Sequence, residues 1–362
     1  MNSAKKWLVI SSLVFTAVLI GCKKEDPKSE ENNNNTITGT YDQGVFVICE
    51  GPFGSGTGTV SFYNRSTQAV SNDIFQTVNS IPLGNIVQSM NIHNGKGYIV
   101  VNNSGKVEVV NASDFKSSAS ITGLDKPRYF LGIDNSKGYV TQWGATGADG
   151  SVKVINLSSN TVSSTINTGK GAENMVKVNS SVYVTCKGGY DNDSIVTVIN
   201  TGTDAVSATI NVGPNPSGIQ VDANGKVWVL CGGEWNSTFT ALLKTGRLVR
   251  INPSTNTIEQ TFTFASATSS PSNLTINAAK NKLYYTYSGS VYAQDISAPS
   301  LSNTGFIGRS FYGLGVDPSN DYIFGSDAGN FTSNGYVIRF NASGAKVDSF
   351  KVGIIPGNFY FK

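Results

Sequence analysis

Between Tyr41 and Lys362, apolar residues recur at alternate positions in short runs rich in Val, Ile, Tyr and Thr, separated by clusters of Gly, Asn, Asp and Ser. Alternation with a period of two marks a strand with one buried face, and the polar clusters mark turns. The chain therefore reads as a succession of short strands, with no long stretch of helical periodicity.

The runs repeat in two registers. Aromatic residues open one of them at Phe46, Tyr98, Tyr139, Tyr183, Trp228, Tyr284 and Tyr322. Their mean spacing of about 46 residues is the length of a four-stranded propeller blade. Each is followed by a strand ending in Asn or Asp, at Asn64, Asn111, Asn156, Asn200, Asn252, Asp295 and Asn341. Such side chains bond to the backbone two residues on and close a turn, a structural role. An innermost strand precedes each aromatic one, as in Ser217–Asp222 and Tyr312–Asp317, except in the first repeat. The last residues, Asn358 to Lys362, form a strand without a hairpin partner. The prediction is an all-β, seven-bladed β-propeller over residues 41–362, closed by the C-terminal strand pairing into the first blade, which removes an exposed sheet edge.

The N-terminal segment is of another kind. Lys5 and Lys6 precede an apolar run over residues 7–21, too short to span a bilayer comfortably. It ends Leu19-Ile20-Gly21-Cys22, the pattern of a bacterial lipobox. Residues 1–21 are expected to be a lipoprotein signal peptide, Cys22 the site of lipid attachment, and residues 22–40 a polar tether with almost nothing apolar to bury. Lys24-Glu25-Asp26 resembles the signal that sends Bacteroidetes lipoproteins to the outer face of the outer membrane. The expected location is the outer membrane, exposed at the cell surface.

Composition narrows the chemistry. A formal net charge of +3 gives no basic field for nucleic acid. The single His93, placed at a turn, excludes multi-histidine metal sites. Cys49, Cys186 and Cys231 share one repeat position, three residues after Phe46, Tyr183 and Trp228, and equivalent positions on different blades lie too far apart for a disulfide. The same slot takes Val101 and Gly325, so these cysteines read as small buried residues. The stretches Asp191-Asn-Asp193 and Gly147-Ala-Asp-Gly150 lack the spaced oxygen ligands of a calcium loop. No acidic cluster is legible, so no catalytic residue, metal or cofactor is expected and the chain reads as a binding module, not an enzyme.

The loops between the second and third strands of each blade share one face with the crossovers between blades. They place Phe53, Trp143, Tyr190, Trp235, Asp327 and Phe331 there, and the crossovers add Arg128, Tyr129, Arg309, Tyr312 and Tyr360. Aromatic rings with Arg and Asn around them can stack on a flat ligand and bond its periphery. Phe130, Phe311 and Phe359 are expected to turn inward between blades, and Trp143, Tyr190, Trp235 and Phe331 to be exposed.

The phrases Tyr139-Val-Thr-Gln and Tyr183-Val-Thr-Cys, with Ile210-Asn-Val-Gly-Pro-Asn-Pro216, resemble the surface-layer-like Tyr-Val-Thr-Asn propeller repeat. The whole arrangement, including the ending Val352 to Phe361, is similar to the cobalamin-capture lipoproteins of gut Bacteroidetes. That resemblance implies a corrinoid as small-molecule ligand, a TonB-dependent outer-membrane transporter as partner, and otherwise a monomer. A glycan-binding or cell-surface interaction propeller remains open, as does a metal-dependent hydrolase or lactonase, which would need two or more acids converging on the central channel.

Overall fold

The computed structural model describes residues 39–362; the expected signal peptide, Cys22 and nearly all of the expected tether lie outside the described residues. Seven antiparallel sheets form the blades of a closed β-propeller. Blade three is representative, running outward from the axis through Pro127–Gly132, Lys137–Gln142, Ser151–Asn156 and Thr161–Asn167. Seven apolar clusters fill the molecule, one at each blade interface; Phe130, for example, stacks on Tyr98 of blade two with ring centroids 3.8 Å apart. Middle strands such as Gly44–Cys49 and Val227–Cys231 are buried on both faces, not on the one face that alternation implies.

The ring closes as expected. Pro356–Phe361 pairs antiparallel with Gly44–Cys49 of blade one, with Val45 facing Phe361 and Phe46 facing Tyr360. Arg65 reinforces the seam by a bidentate bond to the buried Asp317 of blade seven at 2.7 and 3.1 Å, and it also donates to the Lys362 carbonyl. The Lys362 ammonium bonds Asp42 at 2.6 Å.

All seven turn residues work as the pattern predicts. The Oδ1 atoms of Asn64, Asn111, Asn156, Asn200, Asn252, Asp295 and Asn341 each accept the backbone N–H two residues on, at 2.8–3.1 Å.

Two details differ from expectation. The aromatic of each blade faces the residue two before the turn Asn, as Tyr98 faces Val109; in blade seven that partner, Arg339, faces Phe324 and not Tyr322. Aromatics at both positions made the alternation ambiguous by one full period of the strand. The slot shared with the cysteines is therefore filled in blade seven by Asp327, not Gly325. Blade six has only three strands, Ser272–Ile276, Lys282–Tyr287 and Ser290–Asp295. Its outer edge is met by a single bridge, Val291 to Ile307, while the Gln294 side chain donates to the Ser300 carbonyl and accepts from the Ser302 amide. The intervening segment, with Ser297, Pro299, Ser300 and Ser302, has no alternation from which to build a fourth strand.

Candidate functional site

Seven inner strands line a central cavity of about 720 Å³. In each, the residue three positions before the partner of the blade aromatic stands at one level of the channel. These residues are Gly357, Gln88, Arg128, Glu173, Ser217, Ser272 and Tyr312 in blade order, and all line the cavity. The strand register breaks at this level in blades one to six. Such a bulge bends the strand and re-aims its side chains, here toward the axis.

In blades three and four the bulge frees a backbone amide that the hydroxyl two residues after the blade aromatic captures, and Ser326 makes the same bond in blade seven, whose register does not break. Thr141 accepts the Tyr129 N–H at 3.0 Å and donates to the Glu173 carbonyl of the next blade at 2.6 Å. Thr185 accepts from Asn174 at 3.1 Å, and Ser326 accepts from Gly313 at 2.8 Å while donating to the Pro356 carbonyl at 2.6 Å. This gives the Tyr-Val-Thr phrase a physical meaning: its hydroxyl fixes the bulge that presents the ring of cavity residues.

Two aromatic corners flank the cavity mouth. At the first, Trp143 and Tyr190 meet edge to face with centroids 5.5 Å apart. Arg128 lies 4.2 Å from the Trp143 ring centroid and holds Glu173 through two bonds of 3.0 and 2.8 Å, with a third bond to Gln88. The Trp143 indole N–H donates to the same Glu173 carboxylate at 2.8 Å. Burial pushes Glu173 upward, but the charges of Arg128 and Lys187 and the bonds from Arg128 and Trp143 outweigh it and hold the carboxyl below its usual range.

At the second corner, Tyr312 and Phe331 also meet edge to face with centroids 5.5 Å apart. Tyr312 donates to Glu50 at 3.1 Å, and Arg309 pairs with Asp327 at 2.8 Å. Here burial dominates: it raises Glu50 above the usual carboxylate range despite the Tyr312 bond and the Arg128 charge. A Cβ on Gly357 would stand 2.5 Å from Glu50 Oε1, so the absence of a side chain at that ring position makes room for the carboxylate. Arg309, Tyr312, Asp327 and Phe331 line a second, smaller hollow of about 270 Å³.

The structure therefore brings together Arg128, Tyr129, Tyr312 and Tyr360 on the cavity wall, with Trp143 and Tyr190 beside them and Arg309, Asp327 and Phe331 in the adjoining hollow. It does not bring in Phe53, which is 79% exposed and lines neither space, or Trp235, which is half-buried in the short hairpin Glu234–Trp235/Leu242–Lys244. Trp143 is half-buried rather than exposed, because Glu173 and Arg128 hold it; Tyr190 and Phe331 are exposed. Phe130 and Phe311 are buried and Phe359 packs against the cluster between blades seven and one.

Sequence reading missed Glu50 and Glu173, which converge on the cavity although no acidic cluster was legible. They lie over a hundred residues apart, so local spacing says nothing of their meeting. The available signal was the repeat itself, since Glu173 occupies the ring position that also holds Arg128 and Tyr312. Elsewhere, His93 bonds the Asp134 carbonyl at 2.8 Å and does not line the cavity. The three cysteines are buried and free, and burial pushes Cys49 up to about 12. Asp191 pairs with Lys170, and Asp193 accepts the Lys170 amide at 2.7 Å. Among the described residues no three His, Cys, Asp or Glu side chains form a group able to hold a metal.

A closed seven-bladed ring around an open polar cup defines the class, and comparison with known structures agrees. The chain is similar to a quinonprotein alcohol dehydrogenase-like protein of Bacteroides thetaiotaomicron, with a TM-score of 0.65, 16% identity, and coverage of 89% of this chain and 78% of that one. It is similar to the periplasmic gluconolactonase PpgL of Pseudomonas aeruginosa, with a TM-score of 0.62, 12% identity, and coverage of 88% and 99%. It is also similar to the hydrazine synthase of Kuenenia stuttgartiensis, with a TM-score of 0.59, 14% identity, and coverage of 78% and 89%. At these identities the likeness is one of fold. The chain belongs to the family described as a domain of unknown function, DUF5074, whose profile matches residues 43–361. No curated protein matches it.

Proposed function

We propose that this protein is a ligand-capturing propeller and not an enzyme, anchored through Cys22 at the outer-membrane surface, and that it passes a corrinoid or a ligand of similar shape to a TonB-dependent transporter. The observation that supports capture is the pair of aromatic corners on either side of a cavity of about 720 Å³, within the range of small-molecule sites. A flat ligand wider than the channel would lie across its mouth, with rings at its edges and polar groups of the inner strands beneath. Glu50 and Glu173 do converge on the channel, as the hydrolase alternative requires, but Glu173, bonded to Arg128 and Trp143 and held ionised, suits a wall better than a proton donor, and no third His, Cys, Asp or Glu among the described residues joins the two to hold a metal. The corrinoid reading rests on the sequence resemblance, and the transporter and membrane follow from the same source.

The test is a titration of the full-length protein with cyanocobalamin, followed by absorbance and heat. One-to-one binding that is lost in a Trp143→Ala, Tyr312→Ala double variant supports the reading. No binding at about 100 μM, an affinity worth under roughly 5.5 kcal/mol, overturns the corrinoid. Tyr190, 68% exposed, would also stack on a sugar face, so a glycan panel with the same variants follows that outcome.

A further inference from the structure

We infer that Glu50 selects the ligand by accepting an N–H from a primary amide or ammonium group, so that the cup takes ligands carrying such donors in preference to carboxylates. The inference rests on the cup being the binding site and names the chemistry it reads. Arg128, the obvious anion receptor, is already engaged: two of its bonds go to Glu173, a third to Gln88, and its face lies on Trp143. Glu173 is engaged in turn by Arg128 and the Trp143 indole. Lys187 also lines the cavity, 5.7 Å from the Trp143 ring centroid, and its charge acts on Glu173.

Glu50 differs. Its carboxylate lines the cavity, and the one side-chain bond recorded for it comes from Tyr312. An ionised carboxylate has about four acceptor sites, so the Tyr312 bond leaves most of its capacity unused. Tyr129 and Tyr312 line the same space, and aromatic rings attract a cation that approaches their faces. The empty ring position at Gly357 keeps the carboxylate clear of the adjoining strand. Burial of Glu50 without a cation of its own also raises its proton affinity, a cost that an arriving N–H would relieve.

The experiment compares benzylamine with phenylacetate, two probes of one ring and opposite charge, on full-length protein captured on a biosensor surface. Expected is binding of benzylamine about tenfold tighter than phenylacetate, with that preference removed in Glu50→Gln. Gly357→Ala offers a second variant that keeps the charge: the new methyl group displaces only the end of the Glu50 side chain and should erode the preference while the melting temperature stays unchanged. Equal binding of the two probes, benzylamine binding indifferent to Glu50→Gln, or no benzylamine binding overturns the inference. If cyanocobalamin fails to bind while the amine preference holds, the corrinoid falls and the role of Glu50 stands.

Discussion

The two aromatic corners of the cup share their geometry and differ in their electrostatics. Both are edge-to-face pairs at 5.5 Å and 80°. At the Trp143 corner, the Arg128 and Glu173 side chains are 12% and 5% exposed, and each is tied to several partners. At the Tyr312 corner, Arg309 and Asp327 are 45% and 42% exposed, and Glu50 carries a single bond. Identical ring packing therefore serves two ends: one corner is a brace between blades three and four, and the other leaves a cavity-lining carboxylate with acceptor capacity unused. The difference teaches that an aromatic cluster on a propeller face is not by itself a binding surface; the polar groups beneath it decide whether anything is left to bond.

The largest effect that would break this contrast is Arg128→Ala. It leaves Glu173 buried without its cation, and a loss of about 3–5 kcal/mol is expected in thermal or denaturant unfolding. A loss below about 1 kcal/mol would mean that the brace is solvated and the corners are alike.

An intermediate effect lies in pH, with opposite signs at the two corners. Glu173 is depressed in the fold, so the unfolded chain binds more protons; its contribution is complete above the unfolded carboxylate value and is lost as pH falls through the folded one. Glu50 is raised, so the folded chain binds more protons; stability declines as pH rises from the unfolded value to the folded one. Unfolding curves across mildly acid pH should show Glu173→Gln flattening the acid-side loss and Glu50→Gln flattening the decline on the other side. Equal slopes for both variants would erase the distinction.

The smallest effect sharpens it. Arg309→Ala removes an exposed pair and should change stability by no more than about 0.5 kcal/mol, read from the same melts that show the Arg128 variant collapsing.

Much of the fold was legible because it repeats. Seven Asn or Asp residues at one register, each closing the same turn, and a final strand without a hairpin partner were enough to predict the ring and its closure. What the sequence hid was long-range or aperiodic. The aromatic doublet Tyr322 and Phe324 left the last register ambiguous, because a shift of two residues keeps every side chain on its face. The missing outer strand of blade six left no pattern to read. In the site, loop composition pointed to Trp143, Tyr190 and Phe331, but Glu50, just after Gly44–Cys49, and Glu173, on the ring of bulges, meet only through the closed fold. Trp143 was expected in the open and is half-buried, since its indole partner lies thirty residues on in the next blade.

The closing strand also sets a schedule. Its six residues follow the other six blades along the chain, yet they occupy the innermost place in blade one. Until they emerge, blade one has no inner strand, the Arg65 side chain lacks its carbonyl partner at Lys362, and the ring stays a curved ribbon with two raw edges. The propeller thus becomes a closed container only once this strand has emerged, and a ring left without it would be an adhesive arc.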